Sequence, residues 1–182
     1  LYADFQRPAA ITYGIEVGTL LKHIDYTIAN VAEWAKREPI EAAYQPPTGF
    51  KTEIVYEPKG VVLSVGPWNV PFFLTLYPLI SSSAAGNTSI IKPSELTPNH
   101  SALLSKIIAE CFDENEVAVI EGGVPETTEL LKLPFEHIYF TGRPKVTKIV
   151  MKAAAENLTS VTLELGGKAP AIIHESADLD KA

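Results

Sequence analysis

Apolar residues recur at three- and four-residue steps between Ile15 and Lys36. Val17, Leu20, Leu21, Ile24, Ile28, Val31 and Ala35 form the series, with Lys22, Asp25, Asn30 and Glu33 between them. That period predicts an amphipathic helix. Pro39 and the cluster Pro46-Pro47-Thr48-Gly49 end it and predict a connector. From Lys51 to Glu57 the pattern changes to alternation, with Thr52, Ile54 and Tyr56 on one side and Lys51, Glu53, Val55 and Glu57 on the other. This predicts a half-exposed strand, either a sheet edge or an element that pairs with another subunit.

From Gly60 onward short β-branched runs alternate with helical stretches. Val61 to Val65 suits a strand buried on both faces. Gly66 and Pro67 break it, and Pro71 opens an apolar helix that Gly86 stops. Thr88 to Ile91 is the next strand, and Lys92-Pro93-Ser94-Glu95 a loop. Thr97 is placed to cap a helix with Pro98 in its first turn. Further strands are expected at Val117–Ile120, His137–Phe140, Val161–Leu165 and Ala171–Ile173. Helices are expected from Pro125 to about Leu131 and from Pro144, the latter with Val146, Ile149, Val150, Ala153 and Ala154 on its apolar face. Parallel strands require helical crossovers, so the fold class is α/β: a doubly wound, Rossmann-like parallel sheet preceded by an N-terminal helical segment.

Composition narrows the function. The chain of 182 residues is 46% hydrophobic and 20% charged, as a globular domain is. Its 15 basic and 22 acidic residues leave a net charge of −7, which argues against general nucleic-acid binding. A single cysteine excludes a disulfide framework, and His23, His100, His137 and His174 lack metal-ligand spacing, so no metal site is expected. No run is long enough to span a bilayer and no leader is visible, so the expectation is a cytoplasmic protein with no membrane segment in this chain. Cys111 shares a helical stripe with Leu104, Ile107 and Ile108 and reads as a buried core residue, not a nucleophile.

Ligands of doubly wound sheets bind beyond the strands' carboxyl ends. Asn69 follows one such end: its amide can donate to an oxygen gaining charge, or cap the helix at Pro71. Lys92 and Glu95 suit ribose recognition or a solvated loop. Gly142 precedes a helix start suited to phosphate, with Arg143 and Lys145 adding charge or standing exposed. Glu164 ends a strand among Val161, Leu163 and Leu165. It is either a desolvated general base or a solvated partner of Lys168.

Five segments in order resemble the aldehyde dehydrogenase superfamily: Gly66-Pro67-Trp68-Asn69-Val70-Pro71-Phe72, Ala84-Ala85-Gly86-Asn87, Lys92-Pro93-Ser94-Glu95, Phe140-Thr141-Gly142 and Leu163-Glu164-Leu165-Gly166-Gly167-Lys168. Gly122 to Thr128 and Val150 to Thr162 are most similar to its class 3 branch, which includes fatty, benzylic and coniferyl aldehyde dehydrogenases. The resemblance implies oxidation of an aldehyde to a carboxylic acid with NAD or NADP, through a cysteine thiohemiacetal. It implies Asn69 as oxyanion donor and Glu164 as general base. It assigns cofactor contact to Pro67, Trp68, Lys92, Ser94, Glu95, Phe140, Thr141, Gly142, Arg143, Thr147, Leu165 and Gly166.

The implied organisation is an N-terminal helical segment over 1–50, an oligomerisation or edge strand over 51–59, and an incomplete dinucleotide-binding domain over 60–182, with the catalytic domain absent. The family's nucleophilic cysteine falls beyond Ala182, so the chain by itself is expected not to turn over. The partners expected of the intact protein are a small aldehyde and further copies of itself, as a homodimer or homo-oligomer. Arg143 and Thr147 depart from the family pattern, which usually has smaller residues there. They mildly favour an alternative: a non-catalytic nucleotide-binding or oligomerising protein on the same fold.

Overall fold

The computed structural model describes residues 1–41 and 50–180; the Pro46–Gly49 connector lies outside them. An N-terminal arm carries two one-turn helices, α1 (Tyr2–Phe5) and α2 (Ala9–Thr12). A π-helical turn, Tyr13–Val17, then leads into α3 (Gly18–Trp34). Strands β1 (Glu38–Pro39) and β2 (Glu53–Ile54) form a short antiparallel ladder, exposed throughout. The alternation seen over 51–57 therefore yields only two paired residues.

The main sheet has five parallel strands: β3 (Val61–Val65), β4 (Thr88–Lys92), β5 (Val117–Val119), β6 (His137–Gly142) and β7 (Ser160–Leu165). Their order across the sheet is β5-β4-β3-β6-β7, so the winding direction reverses beside β3. Crossovers run through α4 (Pro71–Ala84), α5 (Pro98–Cys111), α6 (Val124–Leu130) and α7 (Pro144–Glu156). The side-chain period of two sends alternate residues of each strand to opposite faces. On one face Leu63, Val65, Ile138 and Phe140 pack with Leu130 and Leu131 at α6 and with Val150 and Ala154 of α7. On the other, Ile91 and Val117 pack with Leu76 and Leu79 of α4, Leu104 and Ile108 of α5, and Leu20 of α3. The expected doubly wound sheet is present.

Several local expectations are corrected. Ala171–Ile173 is not a strand. A strand exists through its ladder, and β7 is the edge of the sheet with no neighbour there among the described residues. Cys111 is exposed, not core. It ends α5, and Phe112 packs against the core one turn after Ile108 in its place. Val146 and Ile149 of α7 are exposed, while Thr147 is buried. Lys92 is the last residue of β4 and not part of a loop.

Thr97 is the residue before α5 but its side chain makes no cap bond. The N-terminal arm does that work. Asp4 of α1 accepts hydrogen bonds from the Asn99 and His100 amides at 2.9 and 3.0 Å and from the Asn99 side chain at 3.0 Å. Partial burial would raise the Asp4 pKa, but these bonds together hold it below its usual value. His100 beside it is buried. Desolvation pushes the imidazole down to about 4, against the opposing pull of Asp4.

Two outcomes follow for stability. Replacing the carboxylate in Asp4→Ala removes a helix cap and should lower the unfolding free energy at neutral pH by about 1 kcal/mol, read by urea titration. His100 binds its proton more weakly folded (about 4) than unfolded (6.5). The unfolded chain therefore takes up the extra proton in that window, and stability declines as pH falls through it. His100→Leu should flatten that decline, and an unaltered slope in denaturant midpoints between about pH 7 and pH 4.5 would refute the assignment.

Candidate active site

Parallel register brings the strand ends to one rim. Val65 of β3 lies opposite both Lys92 of β4 and Phe140 of β6, and Thr141 and Gly142 lie opposite Glu164 and Leu165 of β7. Above this rim an open groove of about 800 Å³ runs between the starts of α6 and α7. Every residue expected at the site lines it except Thr147: Pro67, Trp68, Asn69, Lys92, Ser94, Glu95, Phe140, Thr141, Gly142, Arg143, Glu164, Leu165 and Gly166. Thr147 lies beneath, its hydroxyl donating to the Arg143 carbonyl at 3.1 Å.

Lys92 is the buried cation of the groove, only 2% exposed. Its ammonium donates to the Pro93 carbonyl at 2.8 Å and to Glu95 Oε2 at 3.2 Å. The Glu95 carboxylate is half exposed and turned toward the groove. The turn between them is fixed through Ser94, whose carbonyl accepts from the Ser101 hydroxyl at 3.0 Å and from the Thr97 amide at 3.3 Å.

The β3–α4 loop, Gly66 to Val70, is closely held. Gly66 donates its amide to the Lys92 carbonyl at 3.0 Å. A Cβ on Gly66 would meet Thr75 Oγ1 at 2.1 Å, so only glycine lets the loop lie on α4. Asn69 does not cap α4: Val70 precedes that helix, and no side chain at that position bonds to it. Glu16 from the π-helical turn caps it instead, accepting from the Phe72 and Phe73 amides at 2.7 and 3.1 Å. Asn69 itself lines the groove.

Gly142 has a second tight contact. A Cβ there would meet the Phe140 ring at 2.5 and 2.7 Å, so the glycine lets the aromatic ring lie under the rim. Glu164 is exposed on the edge strand, so the desolvation expected from its apolar neighbours does not occur among the described residues. It lines the groove without an ion pair to Lys168 among those residues. Wall residues that sequence reading did not assign to the site include Val124 and Thr128 of α6, and Val146 and Ile149 of α7. The helical period pointed to Ile149, but assigned it to the core.

Four helices begin at this rim, and each start carries partial positive charge. Carboxylates meet three of them: Glu16 at α4, Asp4 at α5 and Glu126 at α6, the last through the Gly123 amide at 2.6 Å. At α7 no side chain caps the start and no acidic residue lies in the first turn. Arg143 and Lys145 stand there instead. A parallel sheet whose reversal point carries a groove and one helix start without a side-chain cap defines a doubly wound α/β protein with a candidate ligand site at its switch point.

Residues 6–182 match the aldehyde dehydrogenase family, and the chain belongs to it. It is 48% identical over 182 residues to the mouse dimeric NADP-preferring aldehyde dehydrogenase, covering all of this chain and 40% of that protein. It is 45% identical over 188 residues to mouse aldehyde dehydrogenase family 3 member A2, covering 99% of this chain and 37% of that one, in keeping with the class 3 resemblance. The chain thus spans about two-fifths of these curated relatives. A solved Mycobacterium tuberculosis aldehyde dehydrogenase complexed with NAD+ superposes with a TM-score of 0.80 at 31% identity, over 97% of this chain and 36% of that one.

Gly66→Ala should destabilise the protein by about 1–3 kcal/mol through overpacking against Thr75. Adding Thr75→Ala should recover part of the loss in urea unfolding. A double variant no more stable than the single one would show that this contact is not the source.

Proposed function

We propose that the groove holds NAD(P)+ and that the protein containing this chain oxidises an aldehyde to a carboxylic acid. The observation that carries this reading is the convergence of the strand-end residues on one groove whose only uncapped helix start, among the described residues, is α7. The start of α7, with no side-chain cap and no acidic residue in its first turn, and with Arg143 on the groove, suits a pyrophosphate. Glu95 can accept hydrogen bonds from ribose hydroxyls while the Lys92 ammonium lies beside it. The apolar walls from Val124, Val146 and Ile149 suit a flat base between α6 and α7. Thr147 is buried below and does not obstruct this slot, which removes one argument for the non-catalytic alternative.

In the proposed reaction a cysteine thiolate adds to the aldehyde carbon, and the carbonyl oxygen becomes an oxyanion in a thiohemiacetal. Asn69 donates its side-chain amide to that oxygen. Bound NAD(P)+ supplies the acceptor for the hydride that leaves the carbon. Glu164 takes a proton from the water that cleaves the resulting thioester, releasing the acid and the thiolate. Cys111 lines a separate apolar groove between α3, α4 and α5, so the thiol comes from outside these residues. Assembly as a homodimer or larger homo-oligomer belongs to the same proposal, with the exposed β1–β2 ladder as its candidate element.

Trp68, half exposed on the groove, serves as the reporter. In a Trp34→Phe background, NAD+ should quench its fluorescence saturably, and a folded chain with no response would refute the cofactor assignment. Glu95→Gln should raise affinity for NADP+ relative to NAD+ several-fold, because a carboxylate repels a 2′-phosphate. An unchanged ratio would remove Glu95 from the ribose site.

A further inference from the structure

The Asn69 side chain lies on an exposed turn, yet an oxyanion donor must be held still to act. Its backbone is tied from a distant part of the chain. Arg7 presents a forked guanidinium: Nη2 donates to the Asn69 carbonyl and Nη1 to Glu16 Oε1. The other Glu16 oxygen accepts from the Phe72 and Phe73 amides at 2.7 and 3.1 Å. Arg7 also lies over the Phe5 ring, 4.7 Å from its centroid. One ion pair therefore grips the loop at Asn69 and, three residues further on, the helix that follows it.

Glu16 is fully buried, with 0% exposure. A buried carboxylate is costly unless its lone pairs are satisfied, and here the guanidinium and two amides satisfy them. The guanidinium matters by its shape. Its planar fork reaches two acceptors at once, which a lysine ammonium on a single stem does not reproduce.

We propose that Arg7 and Glu16 are positioning residues for the Asn69 amide, acting through the loop backbone and touching neither aldehyde nor cofactor. This rests on the reading of Asn69 as the oxyanion donor. The π-helical turn over Tyr13–Val17 is part of the device, since it carries Glu16 into the protein.

The test uses the full-length protein and the variants Arg7→Lys, Asn69→Ala and the two combined, with aldehyde-dependent NAD(P)H formation as readout. Arg7→Lys keeps a cation beside Glu16 and loses the second arm of the fork. It should lower kcat about tenfold with the NAD(P)+ Kd unchanged within about twofold. Asn69→Ala should lower kcat further, by about a hundredfold. The double variant should be no slower than Asn69→Ala, because a positioning residue has no effect once the group it positions is gone. Hydrogen exchange should quicken over 66–73 in Arg7→Lys and stay unchanged over β4.

Full kcat in Arg7→Lys overturns the proposal while leaving the Asn69 reading intact. An equal loss on both backgrounds, or a variant that no longer folds at the assay temperature, assigns Arg7 a general structural role and overturns it too. Full kcat in Asn69→Ala overturns the oxyanion reading itself, and the proposal falls with it.

Discussion

A parallel sheet wound by helices places every crossover helix with its N-terminus at one edge, and so gathers several unpaired amide clusters and their positive dipole ends on a single rim. The fold has to supply acceptors for those amides before it can serve a ligand. Here the supply is uneven. Glu16, Asp4 and Glu126 satisfy α4, α5 and α6, while α7 is left with Arg143 and Lys145. The location of the anion-seeking end of the groove follows from which helix the carboxylates leave open. It does not require a phosphate-binding motif of the P-loop kind.

Two of the three carboxylates come from the N-terminal arm. That arm is therefore part of the sheet's ligand edge, although its sequence reads as a separate helical segment. The shift in position is physical: α1 packs on the start of α5, and the π-helical turn packs on the start of α4, so Asp4 and Glu16 arrive at the amides from above the rim. Removing the arm would expose those amides and also free the Asn69 loop from its only side-chain tether among the described residues.

The alternation of strands and helices after Gly60 was legible because the strands are short apolar runs, most with Gly or Pro close to their carboxyl ends, and each helix opens on Pro near its first turn. The strand-end segments were legible for the same reason, since the punctuation marks the carboxyl edge. Contacts between residues far apart in sequence were not. The Asp4 and Glu16 caps join positions 56 to 96 residues apart, and no local window contains both partners. Thr97 and Asn69 each look like caps because the residue type is right, yet neither side chain is used so. Cys111, Val146 and Ile149 show the converse limit. Helical period identifies a stripe, but where a helix borders a groove the stripe continues onto an open wall, and period alone does not say where burial stops. Ala171–Ile173 fails for a related reason: a strand is a property of a pair.

The overall charge and the proposed ligand carry the same sign, since the chain is at −7 and a dinucleotide is an anion. Field at a distance therefore does not favour binding, but at physiological ionic strength exposed charges beyond about 8 Å are largely screened. What counts is the arrangement within the groove. There the Lys92 ammonium is held in place by burial, the α7 start has no side-chain cap, and Arg143 lines the groove beside it. The acidic members, Glu95 and Glu164, sit on β4's turn and on β7, to either side of that start in the strand order. Negative and positive groups are thus separated along one groove, so an anionic segment and a hydroxyl-bearing segment of one ligand can each meet the charge that suits it. This separation, and not net charge, is the electrostatic feature that a dinucleotide would recognise.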